Sequence, residues 1–358
     1  MVIFSEREKR KAQVSGKSSC MVTLPKKWAK DMGLRQGDMI TFTRQGDSSL
    51  LISCDSPNSI REKRAALLRV SERDTPESIF RKIVSLYILG YDEIKVKSLS
   101  GSFTSSQSNS LINQVRKRLV GTEIISGSNE SITLQILLGY SELSVEHALK
   151  RMLLITSEMQ KDIIPIFEGM NTELAREIIQ RDDEVDRFSI YVLRQLNSSI
   201  DKGTIVDAFK DPKDVLGYIQ IARIMERAAD NASKIAGEVL KTTVPIDRHT
   251  MDRLQGMNSL ASELYSSALL SLFKKDQKSA EEIIEVSKTF PRLDSEFLEA
   301  VKNKELPDHQ SLAIILDSLR RTVDQSIEIA EIVMDLTIER SVKREHETQE
   351  EPELALVN

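Results

Sequence analysis

Residues 222–240 read "ARIMERAADNASKIAGEVL", a run of mostly small and apolar residues that predicts a helix. Glu226 and Asp230 stand four positions apart in it. Residues at this spacing project from the same helix face. Burying two carboxylates costs several kcal/mol each unless a positive charge compensates them. The stretch therefore predicts a buried helix whose acids need a partner.

A second acidic stretch, "QRDDEVDRF" at 180–188, lies in the preceding predicted helix, where Asp183 and Asp186 are one turn apart. Four acids on two neighbouring helices of a bundle form the kind of site that holds cations. Ligand sets rich in oxygen suit Mg, Mn, Ca or Fe. Ordinary ion pairing with Arg223 and Arg227, on the same helix as Glu226, explains the acids equally well. Spacing alone leaves both interpretations open.

An internal repeat organises the chain from Leu143 onward. Shifting the sequence by 105 positions aligns eight identical residues, and a shift of 94 aligns five more near the end. Matches at two fixed offsets indicate duplication of a three-helix unit, with helices expected at 143–168, 172–198 and 213–240. We expect two such repeats, at residues 143–242 and 248–340, to form an all-α body of six helices.

The second repeat departs from the first at the acidic positions. In "LRRTVDQSIEIAE", Arg320 stands in the Glu slot and leaves Asp324 alone. Ser287 and Lys288 stand where the first repeat has its paired aspartates. If the acids of the first repeat hold a cation, the second repeat therefore lacks an equivalent site, and we expect Arg320 to neutralise Asp324 there.

The stretch "IMERAADNASKIAGEVL" resembles the signature helix of the PhoU family, in which a Glu-x-x-x-Asp pair precedes a small, apolar run. The resemblance extends over 143–336. It implies a six-helix body of two three-helix repeats with metal bound at the carboxylates. Carried onto the first repeat, it implies a divalent or trivalent metal (Fe, Mn, Mg or Zn) held by Asp183, Asp186, Glu226 and Asp230.

The N-terminal segment is basic. Residues 1–54 hold ten Lys and Arg against five Asp and Glu, a local charge of +5, whereas the whole chain of 358 residues has a net charge of −5. The segment reads as strand, short helix opened by Pro25, strand, turn and strand. About fifty residues of this kind offer too little core to be stable alone, so a partner chain is expected.

The run from Val14 through "TLPKKWAKDMGLRQGD" to "MITFTR" and "LLIS" resembles the SpoVT/AbrB domain, a swapped-hairpin barrel. It departs from that pattern at "GKSSC", where members usually have "R-G-Q". The resemblance implies that residues 1–56 form an interlocked homodimer, or a higher homo-oligomer, whose basic face meets DNA. Cations on one face bind phosphates by counterion release. The expected DNA contacts are Arg7, Lys9, Arg10, Lys11, Lys17, Lys26 and Lys27. The alternative is that the lysines merely solvate a short helix.

Residues 62–140 have a strand and helix pattern in the order β-α-β-α-β-β, which predicts a small α+β module with helices on one face. The module shows no catalytic constellation, and we interpret it as a spacer or dimerisation element. The acidic tail at 341–358 is expected to be disordered.

The whole chain resembles the PhoU-like regulators of archaea that carry an N-terminal SpoVT/AbrB domain. The resemblance implies a DNA-binding regulator of phosphate uptake whose helical body controls the head. The alternative is an adaptor that contacts components of a phosphate ABC transporter, with the head used for dimerisation. Catalysis is not expected, since no P-loop, nucleophile elbow, zinc pattern or Glu-x-x-His pair of the di-iron type occurs. Neither a signal peptide nor a membrane-length apolar run is present, so a cytoplasmic protein is expected.

Overall fold

The computed structural model describes residues 8–15, 19–45, 49–54, 63–137, 143–168, 170–202, 212–241, 247–302 and 309–349. The chain divides into two compact units, 1–63 and 64–358. The multidomain layout predicted from the sequence is confirmed: a small β-rich region comes first and a helical body forms the C-terminal part.

The described residues of the first unit form two antiparallel strand pairs and one short helix. Its elements, in chain order, are β1 (Gln13–Ser15), β2 (Ser19–Met21), α1 (Lys26–Asp31), β3 (Ile40–Gln45) and β4 (Ser49–Cys54). Each pair of successive strands is antiparallel, and the second hairpin is in register from Ile40 opposite Cys54 to Gln45 opposite Ser49. Gly33 and Gly37 adopt φ values of 65° and 96° in the connection that follows α1, a conformation that glycine adopts without steric cost.

This first unit buries very little. None of its residues whose burial is described is buried. Val14 and Met39 are each 80% exposed, and Phe42 and Leu50 are 59% and 63% exposed. Exposed apolar patches of this kind are typical of interaction surfaces.

The second unit begins with the α+β module, which has the element order expected from the sequence. Its elements are β5 (Ala65–Val70), α2 (Pro76–Ile88), β6 (Glu93–Ser98), α3 (Ser105–Arg118), β7 (Thr122–Gly127) and β8 (Ser131–Ile136). The sheet order is β5-β6-β8-β7, with β5 and β6 parallel and the other neighbours antiparallel. Thr104 and Gln107 form a capping box that fixes the start of α3.

The helical body follows, and its first repeat has three long helices. These are α4 (Val145–Glu168), α5 (Thr172–Lys202) and α6 (Pro212–Val239). Their apolar faces form one continuous core with the second repeat, and Leu149, Val185, Ala228, Ala229 and Ala236 are fully buried in it. Small alanines on α6 let neighbouring helices approach closely, which explains the composition of residues 222–240.

The second repeat contains α7 (Arg248–Lys274), α8 (Gln277–Ser287), α9 (Phe290–Val301) and α10 (His309–Gln349). One expected helix is therefore divided into α8 and α9. Pro291 stands in the first turn of α9, where the N–H that proline lacks has no partner within the helix. In the interior of one continuous helix, the same proline would break the hydrogen-bond ladder. The sequence predicts a disordered tail at 341–358, whereas α10 continues to Gln349; residues 350–358 lie outside the described residues.

In the part of the chain that the structure describes, the module packs against the body where α2 and α3 contact α5. Within the body, α5 packs along α6, and the two repeats meet where α4 contacts α7 and α6 contacts α10. Among the described residues, no helix combines the length and apolarity that a membrane span requires.

Candidate metal centre

Two neighbouring helices each present a pair of acids to the same place. Asp182 and Asp186 lie one turn apart on α5, and Glu226 and Asp230 lie one turn apart on α6. One carboxylate oxygen from each of Asp182, Asp186 and Asp230 lies within 4.8 Å of the other two. All three side chains are half-buried. The packing of α5 on α6 thus creates a cluster of three carboxylates with Glu226 one turn away.

Burial and mutual repulsion raise the pKa of the clustered carboxyl groups. Burial, reinforced by the charges of Asp186 and Asp230, raises the pKa of Asp182 to about 7. Burial and the charge of Asp230 raise the pKa of Glu226 to about 6. Burial also raises the pKa of Asp186, against the opposing effect of Arg118. A cation placed among these oxygens would favour their charged forms.

The oxygens fit a metal ion by their chemistry. Oδ1 of Asp182 is buried and has no hydrogen-bond partner among the described residues. A buried polar atom without a partner points to a missing ion or water. Carboxylate oxygens without thiolate or imidazole nitrogen suit hard cations such as Mg²⁺, Mn²⁺ or Ca²⁺, and also iron. The residues that would hold such an ion are Asp182, Asp186 and Asp230.

Asp183, a ligand expected from the sequence, is not among the three converging carboxylates and faces the end of α3. Its carboxylate accepts hydrogen bonds from Nζ of Lys117 at 2.5 Å and from Nη2 of Arg118 at 3.3 Å, both at the end of α3. Burial would raise its pKa, but these hydrogen bonds outweigh burial and the pKa is lowered. The structure places Asp182 in the cluster in its stead. The i,i+4 spacing of Asp182 and Asp186, which matches that of the acids on α6, was the available signal.

Ion pairing along α6, the second interpretation of the acids, receives little support from the geometry. Arg227 directs its guanidinium to Glu328 of α10, with Nη2 2.9 Å from Oε2. Lys234 is 3.9 Å from Asp230, the outer limit of an ion pair. Arg223 is exposed and acts on Glu226 only through the field of its charge.

The second repeat differs from the sequence prediction in the partner of Arg320. The prediction paired Arg320 with Asp324, but Nε and Nη2 of Arg320 bind Asp294 of α9 at 3.0 and 2.8 Å. Asp324 is exposed. No sequence motif identifies Asp294 as this partner, because the contact depends on where the tertiary structure places α9 relative to α10.

The residues predicted to contact DNA lie on the surface of the first unit, apart from Arg7 and Lys17, which are outside the described residues. Lys9, Arg10 and Lys11 precede β1 and are exposed, although Arg10 forms an ion pair with Glu8. Lys26 and Lys27 open α1 and are also exposed.

Two family profiles match the chain. Residues 149–239 match the PhoU domain, and residues 13–61 match the domain described as antidote-toxin recognition MazE, bacterial antitoxin. The first match contains the whole acid cluster. The chain therefore carries one segment similar to the PhoU domain and another similar to a MazE/AbrB-like domain, as the sequence predicted.

The chain is also similar to individual proteins. A "phosphate-specific transport system accessory protein PhoU homolog" of Zymomonas mobilis subsp. mobilis is 26% identical over 170 residues, which cover 46% of this chain and 70% of that protein. The crystal structure of PhoU from Pseudomonas aeruginosa is similar with a TM-score of 0.48 and 18% identity, covering 55% of this chain and 96% of that one. The phosphate transport system regulatory protein PhoU from Streptococcus pneumoniae matches with a TM-score of 0.48 and 15% identity, over 53% and 91% of the two chains.

Proposed function

We propose that the protein is a DNA-binding regulator of phosphate uptake or homeostasis, in which a metal-binding PhoU-type body controls the AbrB-like head. The observation that supports it is the combination of two features in one chain. One is a half-buried carboxylate cluster inside a PhoU domain, and the other is an exposed basic surface on a MazE/AbrB-like domain.

The body supplies a site for a cation between two helices. Asp182 and Asp186 belong to α5 and Asp230 to α6, so a ligand shared by these residues ties the two helices together. A bound cation supplies the positive charge that the clustered carboxylates lack. A cation held by Asp182, Asp186 and Asp230 would fix the position of α5 relative to α6. The same helix α5 also contacts α2 and α3 of the α+β module.

The head supplies the contact with DNA. Lys9, Lys11, Lys26 and Lys27 are exposed cations on a unit that has no described buried side chain. The exposed apolar side chains of Val14, Met39, Phe42 and Leu50 fit a second copy of the chain, which would complete the core and double the basic surface. Two heads in a homodimer would bind two half-sites, and the state of the bodies would set how the heads are arranged.

The experiment is an electrophoretic shift assay with the full-length protein and genomic DNA fragments, at several salt concentrations and with or without Mn²⁺. We expect binding that weakens steeply with salt, because phosphate contacts release counterions. K26Q/K27Q should weaken binding by about tenfold or more and lower the salt slope by about two. The matched control is K278Q, which removes an exposed lysine of the helical body. Salt-insensitive binding, or equal losses in both variants, would reject the DNA-binding function.

A second function is favoured by the match to an accessory protein of a phosphate-specific transport system, because that match covers 46% of this chain. Under it, the protein is an adaptor that contacts components of a phosphate transporter, and the head only dimerises. Crosslinking to DNA across the genome separates the two functions. Enriched sites near phosphate-transport operons support the regulator, whereas recovery of transporter subunits without enriched DNA supports the adaptor.

A further inference from the structure

We propose that Lys117 and Arg118, at the end of α3, are the cations that set the metal affinity of the carboxylate centre, and that docking of the α+β module on α5 competes with metal binding. The inference rests on the proposed metal centre. It adds two residues from outside the PhoU domain, on a different module of the chain, to the determinants of that centre.

The contacts place both cations at the edge of the cluster. Nη2 of Arg118 lies 3.1 Å from Oδ2 of Asp186 and 3.3 Å from Oδ1 of Asp183. Nζ of Lys117 lies 2.5 Å from Oδ2 of Asp183. Asp186 is also one of the three residues whose oxygens converge within 4.8 Å. Arg118 and a bound metal would therefore share one carboxylate.

Sharing of this kind opposes binding of the metal. A guanidinium stays protonated at every accessible pH, so Arg118 cannot lose its charge to make room for a second cation. Like charges a few ångströms apart repel strongly where water is partly excluded, and the side chain of Asp186 is only 21% exposed. The ion either weakens the hydrogen bond between Arg118 and Asp186 or binds with reduced affinity.

In the second repeat, a guanidinium of the helical body itself neutralises a carboxylate. There the guanidinium of Arg320 belongs to α10 itself and holds Asp294 with two nitrogens. In the first repeat the compensating guanidinium comes from α3, a helix of a different module that contacts α5. The charge that neutralises the first repeat is thus exchangeable, between a cation of the module and a metal ion.

Reciprocity follows from linkage. If the docked module lowers metal affinity, metal binding must weaken docking of the module by the same factor. The end of α3 is then the element that responds to metal occupancy, and β5 of the same module begins directly after the segment that joins it to the first unit.

The test measures Mn²⁺ affinity of the full-length protein from the EPR signal of free Mn²⁺. K117M/R118M should bind Mn²⁺ about tenfold more tightly than wild type, since two positive charges beside the site are removed. The matched control is R116M, which removes an exposed cation from the same turn of α3. Equal affinities for K117M/R118M and R116M overturn the inference while the metal centre stands.

A second measurement distinguishes failure of the competition between module and metal from failure of the metal centre. Amide hydrogen exchange of the last turns of α3 should quicken when Mn²⁺ is added to wild type and should be unchanged in D182N/D230N. Exchange that slows or does not change in wild type, although Mn²⁺ is bound, overturns competition. A wild-type chain that binds no more Mn²⁺ than D182N/D230N overturns the metal centre itself and the inference with it.

Discussion

Arg194 of α5 donates hydrogen bonds from Nη1 to the backbone carbonyls of Tyr87, at 2.7 Å, and of Tyr91, at 2.8 Å. Its guanidinium also stacks on the ring of Tyr87, 4.8 Å from the centroid. Only 4% of Arg194 is exposed. Together with Lys117 and Arg118 it joins the α+β module to the helix that carries Asp182 and Asp186, so α5 is common to the carboxylate cluster and to both contacts of the module.

Replacing this arginine should loosen the module from the body. R194M removes the donor for two carbonyls that are enclosed by the interface, and we expect the free energy of unfolding to fall by about 2–4 kcal/mol. The measurement is urea denaturation followed by circular dichroism. R176M, an exposed position of the same helix, is the control and should change stability by less than about 0.5 kcal/mol. Similar losses in both variants would contradict the role of Arg194.

Metal content should depend on Asp182 and Asp230. D182N/D230N removes two of the three converging carboxylates, so purified protein is expected to lose bound metal almost completely. Elemental analysis measures the content in protein purified without chelators. D317N, which alters an exposed ion pair on α10, is the control and should retain the wild-type content. Unchanged metal in D182N/D230N would contradict the assignment.

The contact between Arg320 and Asp294 in the second repeat should contribute to stability and not to metal binding. R320M leaves the carboxylate of Asp294, which is 18% exposed, without its guanidinium. We expect a loss of about 1–2 kcal/mol in the free energy of unfolding, with no change in bound metal. Thermal denaturation and elemental analysis of the same preparation give both values. A change in metal content would indicate that the second repeat takes part in the centre.

Stability of the metal-free protein should fall as the pH rises. The pKa of Asp182 is raised from 3.8 to about 7, so the native state keeps a proton that the unfolded chain loses near pH 4. The native state binds more protons through this window, and the free energy of unfolding therefore decreases from pH 4 to pH 7. We expect Tm in EDTA to be higher at pH 5 than at pH 8.

D182N should flatten this dependence and raise Tm at pH 8, because the amide carries no charge to bury. The difference is expected to be on the order of 1–2 kcal/mol after solvent screening. In D182N, Glu226, whose pKa is raised to about 6, should leave a smaller decrease of Tm with rising pH. A Tm of wild type that rises between pH 5 and pH 8 would refute the argument.

Dimerisation should depend on the exposed apolar side chains of the head. F42D places a charge on a strand position that is 59% exposed in the single chain and is expected to be covered by a second copy. Sedimentation velocity at micromolar concentrations should show a shift toward monomer. Q36D, in the exposed turn before β3, is the control and should leave the distribution unchanged. Equal distributions for both variants would place the dimer contact elsewhere.

Much of the fold followed from local patterns. The spacing of apolar residues predicted the three helices of the first repeat close to their observed bounds, and strand and helix patterns predicted the element order of the module. The division of the second helix of the last repeat into α8 and α9 was missed, although Pro291 was the available signal. The spacing of apolar residues indicates which face of a helix is buried. It does not reveal a short break in the helix when the buried face continues in the same direction after the break.

The sequence by itself determined that α5 and α6 carry acids on inward-facing turns, because helical spacing is a property of the chain alone. Only the tertiary structure decided which acids meet. Asp182 joins Asp230 and Asp183 turns to Lys117 because of how α5 is rotated about its axis between α6 and α3. Arg118 and Asp186 are 68 positions apart. Contacts at such separations depend on packing between elements, which no local pattern records.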